Sequence, residues 1–202
     1  MPFIDHHLTF KDLKIRPKTS RIVIHHSASA DVSAAEIYRW HLANGWSGIG
    51  YHYLIRKNGQ IELGRPAETI GAHTQGYNED SIGICLTGNF MQELPTNDQL
   101  IALGQLIHEI EKQYGKLEVN RHRELSPTNC PGDRFPWEEF MKQLNENTSN
   151  PSPEEWKQTI MNQARKAGLI TSGHHPDDPA PKWFVLAIAL HTIQTWKNKN
   201  IN

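Results

Sequence analysis

The chain is poor in cysteine: Cys85 and Cys130 are the only two in 202 residues. Two thiols cannot build a disulfide framework, and so few fit a reducing compartment. Long apolar runs are missing as well. No stretch approaches the roughly 20 residues of a membrane span, and the run from Trp183 to Leu190 is too short for one. The opening MPFIDHHLTFKDLKIRP has no uninterrupted apolar core, so no signal peptide is expected. An excess of either charge is lacking too. The 21 Lys and Arg against 22 Asp and Glu leave a formal net charge of −1, which gives no electrostatic case for nucleic acid or an anionic membrane as partner.

What the chain does have is histidine. It carries 12 copies of the commonest metal ligand and the side chain that titrates nearest neutral pH. Apolar content of 37% with six Trp suffices for a core, and the length allows one domain plus a small appendage. The stretch His122-Arg123-Glu124-Leu125-Ser126-Pro127-Thr128-Asn129-Cys130-Pro131-Gly132-Asp133 sets an imidazole and a thiol eight residues apart. That spacing is too wide for adjacent helical turns and suits a loop bent at Pro127 and Pro131-Gly132. Neutral imidazole and thiolate are ligands that zinc prefers, and three protein ligands leave a fourth position for water. A surface His and a buried Cys would give the same letters, so the pair needs a third ligand.

Taken in order, residues 1–20 read as an irregular lead-in. Arg21-Ile22-Val23-Ile24-His25-His26 is a buried strand that delivers its two histidines to opposite faces. Ser33 and Glu36 form a capping box and Asn44-Gly45 a stop, which predicts a helix of about three turns. In it Ile37, Trp40 and Leu42 face the core and His41 is structural. Asn58-Gly59 between two alternating runs predicts a hairpin, with Tyr51, Tyr53 and Ile55 on one face and His52, Leu54 and Arg56 on the other. The glycine-rich polar segment 69–78 reads as a surface loop over a site. Residues 81–88 are another buried strand, with Cys85 as a small core hydrophobe. Thr96 and Gln99 open a helix bearing Leu100, Leu103, Ile107, Ile110 and Tyr114 on its apolar face, stopped by Gly115. Residues 116–121 are a short strand feeding His122, and Phe135 to about Leu144 is a third helix.

The set IVIHHSAS, GWSGIGYHYLIRKNG, GAHTQGYNEDSIGICLTG and HRELSPTNCPGD, in that order over about residues 20–145, resembles the zinc-dependent N-acetylmuramoyl-L-alanine amidases of type 2. That family includes amidase-type phage lysozymes and the peptidoglycan recognition proteins. The resemblance implies an α/β fold, a mixed sheet flanked by helices, with one zinc ion at the sheet edge. Carried over by position, the ligands would be His25, His122 and Cys130. Tyr51 matches the family's catalytic tyrosine. Thr128 stands where some phage members carry lysine, so the oxyanion would be met by neutral donors and zinc. His73 and Asn78 match the substrate-groove loop. The implied chemistry is hydrolysis of the amide between muramic acid and L-alanine by a metal-activated water, with Tyr51 passing a proton to the leaving nitrogen.

The remainder is different in kind. Residues 1–144 would be the catalytic domain, 145–153 (NENTSNPSP) a linker, and 154–202 a small all-α helical hairpin. Trp156, Ile160, Ala164 and Ala167 line one face of its first helix, His174-His175 sit in its loop, and Trp183 opens its second helix. The hairpin loosely resembles a single S-layer-homology-type repeat, a wall-anchoring unit that would take a secondary cell-wall polymer. A hairpin that docks on its own catalytic domain or pairs into a homo-oligomer fits the same residues. The codons of Trp137-Glu138-Glu139 can read GGGAGGAG ahead of Met141, which would allow a second start and a free fragment of residues 141–202. Three functions are expected in descending order. The first is a phage endolysin, made in the host cytoplasm without a signal peptide and acting on peptidoglycan after release. The others are a non-catalytic peptidoglycan-binding module and a cytoplasmic muropeptide-recycling amidase.

Overall fold

The β-branched run Ile22-Val23-Ile24 is fully buried and forms the middle of strand β2 (Arg21–His26). A strand covered on both faces reads as continuous apolar sequence. In this computed structural model, which describes residues 2–146 and Arg165, β2 lies between two parallel neighbours, β5 (Ser81–Leu86) and β6 (Glu118–Arg121). Strand β3 (Tyr53–Ile55) pairs parallel with β5 and antiparallel with β4 (Ile61–Leu63) across the Asn58-Gly59 turn. Gly59 takes φ +79° there, a conformation that glycine adopts without penalty. Strand β1 (Phe3–Ile4) adds to β4 in parallel, completing a six-stranded mixed sheet of order β1-β4-β3-β5-β2-β6.

Alternation along the strands sends Ile22, Ile24, Ile82, Ile84 and Leu86 to one face. There they meet Leu103, Leu106 and Ile107 of helix α2 (Asn97–Tyr114) and Phe140 and Leu144 of helix α4 (Trp137–Glu146). The other face carries Leu54 and Cys85, which pack with Ile49 against Ala34 and Ile37 of helix α1 (Ala34–Ala43). Both long helices start where their caps dictate. Ser33 Oγ accepts from the Glu36 N–H, and Thr96 and Gln99 exchange a reciprocal pair of bonds at the start of α2. Glu62 on β4 is 2% exposed and collects three partners: His6 Nε2 at 2.8 Å, the Ala34 N–H at 2.6 Å and Arg56 Nη1 at 2.9 Å.

Four expectations need correction. The lead-in is not irregular throughout. It supplies β1, and Arg16 is buried with Nη1 donating to Thr69 O at 2.9 Å; a two-residue strand is too short to leave a period in sequence. Trp40 and Leu42 are 40% and 44% exposed. The inward stripe of α1 runs through Ala34, Ile37 and His41, at spacings of three and four, and the two apolar residues fall beside it. Tyr51 does not share a face with Tyr53 and Ile55. β3 begins only at Tyr53, so the pleat does not extend back to Tyr51, which packs with Leu54 and Cys85 instead. Finally, the predicted loop after β6 opens with a short helix, α3 (His122–Leu125).

The chain divides into two compact units, Met1–Thr148 and Ser149–Asn202. The expected hairpin over 154–202, with Trp156, His174-His175 and Trp183, lies outside the described residues, as does most of the 145–153 segment. No helix among the described residues is long and apolar enough to cross a membrane.

Candidate metal centre

The register of the central strands builds the site. β2 and β6 pair Ile24 with Arg121, so the next residue along each chain, His25 and His122, fall side by side. Their ring centroids are 4.4 Å apart. His25 shares the face of Val23, and His26 points the other way, against Phe90 at 5.8 Å between centroids. Cys130 returns beside them because the Arg123 N–H donates to Cys130 O at 2.9 Å, closing the loop after α3. The ligand atoms of His25, His122 and Cys130 lie within 4.8 Å of one another, a cluster able to hold a metal ion. His25 Nδ1 faces Cys130 Sγ at 3.7 Å.

The Cys130 loop is held from several sides. Arg123 Nη1 pairs with Asp133 at 2.8 Å, and its Nη2 donates to Asn129 O. The His26 backbone N–H donates to the Cys130 sulfur at 3.4 Å. Thr128 Oγ1 accepts from the Cys130 N–H at 3.2 Å, which leaves the exposed threonine hydroxyl its own proton to donate. Arg123 and the His26 N–H escaped the sequence reading. The only hint of the first was an arginine beside a candidate ligand with an aspartate ten residues on.

Tyr51 stands next to His25, with ring centroids 5.1 Å apart. His41 is also near it, at 5.9 Å between centroids; its Nδ1 accepts from the Gly50 N–H at 3.1 Å and its ring lies tilted against Trp46 at 4.5 Å. His41 therefore fixes the backbone one residue before Tyr51. Burial, then Cys85 and Cys130, holds the Tyr51 phenol well above its ordinary range, so it is protonated at neutral pH.

The 69–78 segment is not simply a surface loop. Thr69 and Thr74 are buried, and His73 turns inward. Its Nδ1 lies 3.0 Å from His25 Nε2. Asn78 Oδ1 accepts from the N–H groups of both His73 and Thr74 at 2.9 Å, so that oxygen is spent on the loop itself. Gly71 and Gly83 leave room for the His73 ring: a Cβ on either would come within 2.5 Å of it. Neither needs an unusual backbone angle; what each provides is space.

Burial dominates the electrostatics of the cluster. It lowers His25, His73 and His122, with neighbouring histidines adding to the effect on the first two. Burial and then Arg123 bring His26 down to about 4. Burial pushes the Cys130 thiol up to about 11, opposed by the His26 N–H and Arg123. Two neutral imidazoles and a thiol converging on one point make a donor set suited to a soft divalent metal.

Fold and site together define an α/β protein with a His-His-Cys centre where the central parallel strands end. Residues 16–133 match the family described as N-acetylmuramoyl-L-alanine amidase, and the chain belongs to that family. The endolysin of Enterobacteria phage K11 is 36% identical over 124 residues, covering 57% of this chain and 82% of that protein. Peptidoglycan-recognition protein LB of Drosophila melanogaster is 36% identical over 130 residues, 56% of this chain and 55% of that one. Among solved structures, the N-acetylmuramoyl-L-alanine amidase LysC from Clostridium intestinale URNW superposes with a TM-score of 0.69 at 35% identity, over 72% of this chain and 98% of LysC.

Proposed function

We propose that the chain is an endolysin-type peptidoglycan hydrolase, a zinc-dependent amidase that cuts between N-acetylmuramic acid and the L-alanine of the stem peptide. The observation that carries this reading is the cluster of His25, His122 and Cys130 beside Tyr51 in a chain of the amidase family. A tetrahedral ion bonded at about 2.0–2.1 Å to nitrogen and 2.3 Å to sulfur sets its ligand atoms roughly 3.3–3.6 Å apart. The 3.7 Å between His25 Nδ1 and Cys130 Sγ suits it. The same three residues would hold one zinc ion and leave one position open.

Zinc held there would supply a water of lowered pKa and polarise the scissile carbonyl. The chain's own groups do the rest. The Tyr51 hydroxyl donates toward the leaving nitrogen, the role of a positioned general acid. The Thr128 hydroxyl, its oxygen already accepting from the Cys130 N–H, donates its proton to the developing oxyanion. Arg123 and the His26 N–H keep the Cys130 sulfur in place. Endolysin relatives support a setting in which the protein is made in a bacterial cytoplasm and reaches the wall after release. Residues 154–202 would then serve wall anchoring or self-association.

Purified sacculi test the proposal. Digestion should expose new amino termini of L-alanine and free lactyl groups on muramic acid, both visible by mass analysis, and a chelator should stop it. Retention on sacculi without new amino termini would reject the enzyme and favour a binding module. Equal lysis of intact cells with and without residues 149–202 would remove the anchoring role.

A further inference from the structure

The two ring nitrogens of His25 face different neighbours. Nδ1 faces the Cys130 sulfur at 3.7 Å, and Nε2 faces His73 Nδ1 at 3.0 Å. We propose that His73 is a positioning residue for the metal centre: it accepts the Nε2–H of His25 and holds that ring in the tautomer whose Nδ1 is free to bind metal. The inference rests on the reading of His25 as a metal ligand, and it gives His73 a task other than contact with substrate.

Proton accounting supports it. A neutral imidazole carries one proton. With Nδ1 of His25 on a cation, the proton sits on Nε2 and needs an acceptor. His73 Nδ1 is in place, so the proton of His73 sits on its own Nε2, which has Ser81 Oγ at 3.4 Å. Ser81 Oγ–H donates onward to Tyr77 O at 2.5 Å. Thr74 Oγ1 lies 3.4 Å from His25 Nε2 and 3.0 Å from His73 Nδ1, a secondary partner to both. One arrangement of protons satisfies the whole chain from ligand to backbone carbonyl.

The surroundings fix His73 as firmly as a supporting group requires. The slot left by Gly71 and Gly83 admits the ring, and Asn78 clamps the backbone that carries it. Histidines on metals usually give their second proton to a carboxylate or a backbone carbonyl, and losing that partner costs about 10- to 100-fold in metal affinity. Here a neutral imidazole takes that place.

His73→Phe fills the slot without an acceptor, and His73→Asn keeps an acceptor oxygen near the Nδ1 position. Zinc dissociation constants from chelator competition, the absorption bands of the cobalt(II)-loaded protein, and KM on a soluble muropeptide are measured for wild type and both variants. The expected result is zinc binding weakened about 10- to 100-fold in His73→Phe, shifted cobalt bands, unchanged KM at saturating zinc, and most of the affinity recovered in His73→Asn. Gly83→Ala pushes on the same ring from the backbone side and should weaken zinc in the same direction; it replaces His73→Phe in the comparison should that variant not fold. Unchanged zinc affinity with a raised KM would overturn the inference in favour of substrate contact. A wild-type protein that binds no zinc would overturn the metal reading itself, and the inference with it.

Discussion

The two faces of the sheet are built from the same strands and are chemically opposite. Toward α2 and α4, β2 and β5 present Ile22, Ile24, Ile82, Ile84 and Leu86. Toward α1, the intervening positions are Val23, His25, Gly83 and Cys85, joined by Tyr51, His52 and His73. One face is packed with branched aliphatic chains. The other holds imidazoles, a phenol and a glycine-lined slot, and the His25, His52 and His73 rings each have a hydrogen-bond partner there. The lesson is that alternation along a buried strand lets one face supply stability while the other accepts the polar groups that chemistry requires.

The comparison is broken most completely by Cys130→Ser. Zinc content should fall and hydrolysis of sacculi should drop to background, while the far-ultraviolet circular dichroism stays that of a folded protein, because no residue of the aliphatic face has changed. A metal-free Cys130→Ser protein with full activity would end the zinc mechanism. Next comes Tyr51→Phe, which should retain zinc and slow turnover by about 100- to 10,000-fold, the usual contribution of a positioned acid. A kcat within about twofold of wild type would deny Tyr51 that role.

Leu103→Ala probes the opposite face. Leu103 is 0% exposed in the α2 layer, so its truncation should cost about 2–5 kcal/mol in urea unfolding and leave the zinc dissociation constant unchanged. A parallel loss of zinc affinity would show that the two faces are coupled.

The last effect is one of pH, gradual across the acid range, and it sharpens the contrast because the buried histidines crowd the α1 face. His52 Nδ1 accepts from the Gly83 N–H, its Nε2–H donates to Thr69 O, and burial lowers its pKa to about 3. At any pH between about 6.5 and 3 the unfolded chain protonates His52 and the folded chain does not. The group therefore contributes its full stability above about 6.5, and that contribution is lost as the pH falls toward 3, at up to about 1.4 kcal/mol per pH unit. His52→Asn preserves an acceptor for the Gly83 N–H, and Arg16 Nη1 still serves Thr69 O. The metal-free variant should show a shallower acid loss than metal-free wild type in denaturant titrations, and an identical slope would contradict the assignment.

Much of this was legible in the sequence. The apolar run of β2, the caps at Ser33 and Thr96 and the Asn58-Gly59 turn are local signals, and the structure obeys them. The opposite pointing of His25 and His26 followed from the pleat alone. What stayed hidden depends on distant partners. Tyr51 lies two residues before β3, where the strand's alternation no longer governs which face a side chain takes. Arg16 is anchored by a carbonyl 53 residues away. The inward turn of His73 needed the glycine slot. One sign of that slot was available, since a glycine inside a buried strand, Gly83, marks a close approach by another group. A polar, glycine-rich loop nonetheless reads as surface when its ceiling is out of view.

Glu62 has a practical consequence for anyone who shortens or fuses this chain. That one buried carboxylate gathers the amino-terminal segment through His6, the first turn of α1 through Ala34, and the β3–β4 hairpin through Arg56. Trimming the first ten residues would take away one of its partners and, in the same cut, strip β1 from the border of the sheet. β4 would then stand as a bare border strand with its hydrogen-bonding groups unpaired, a template for chain-to-chain pairing. Solubility in a truncated protein thus turns on the opposite border of the sheet from β6 and His122, on a two-residue strand and a His6–Glu62 hydrogen bond that take no part in catalysis.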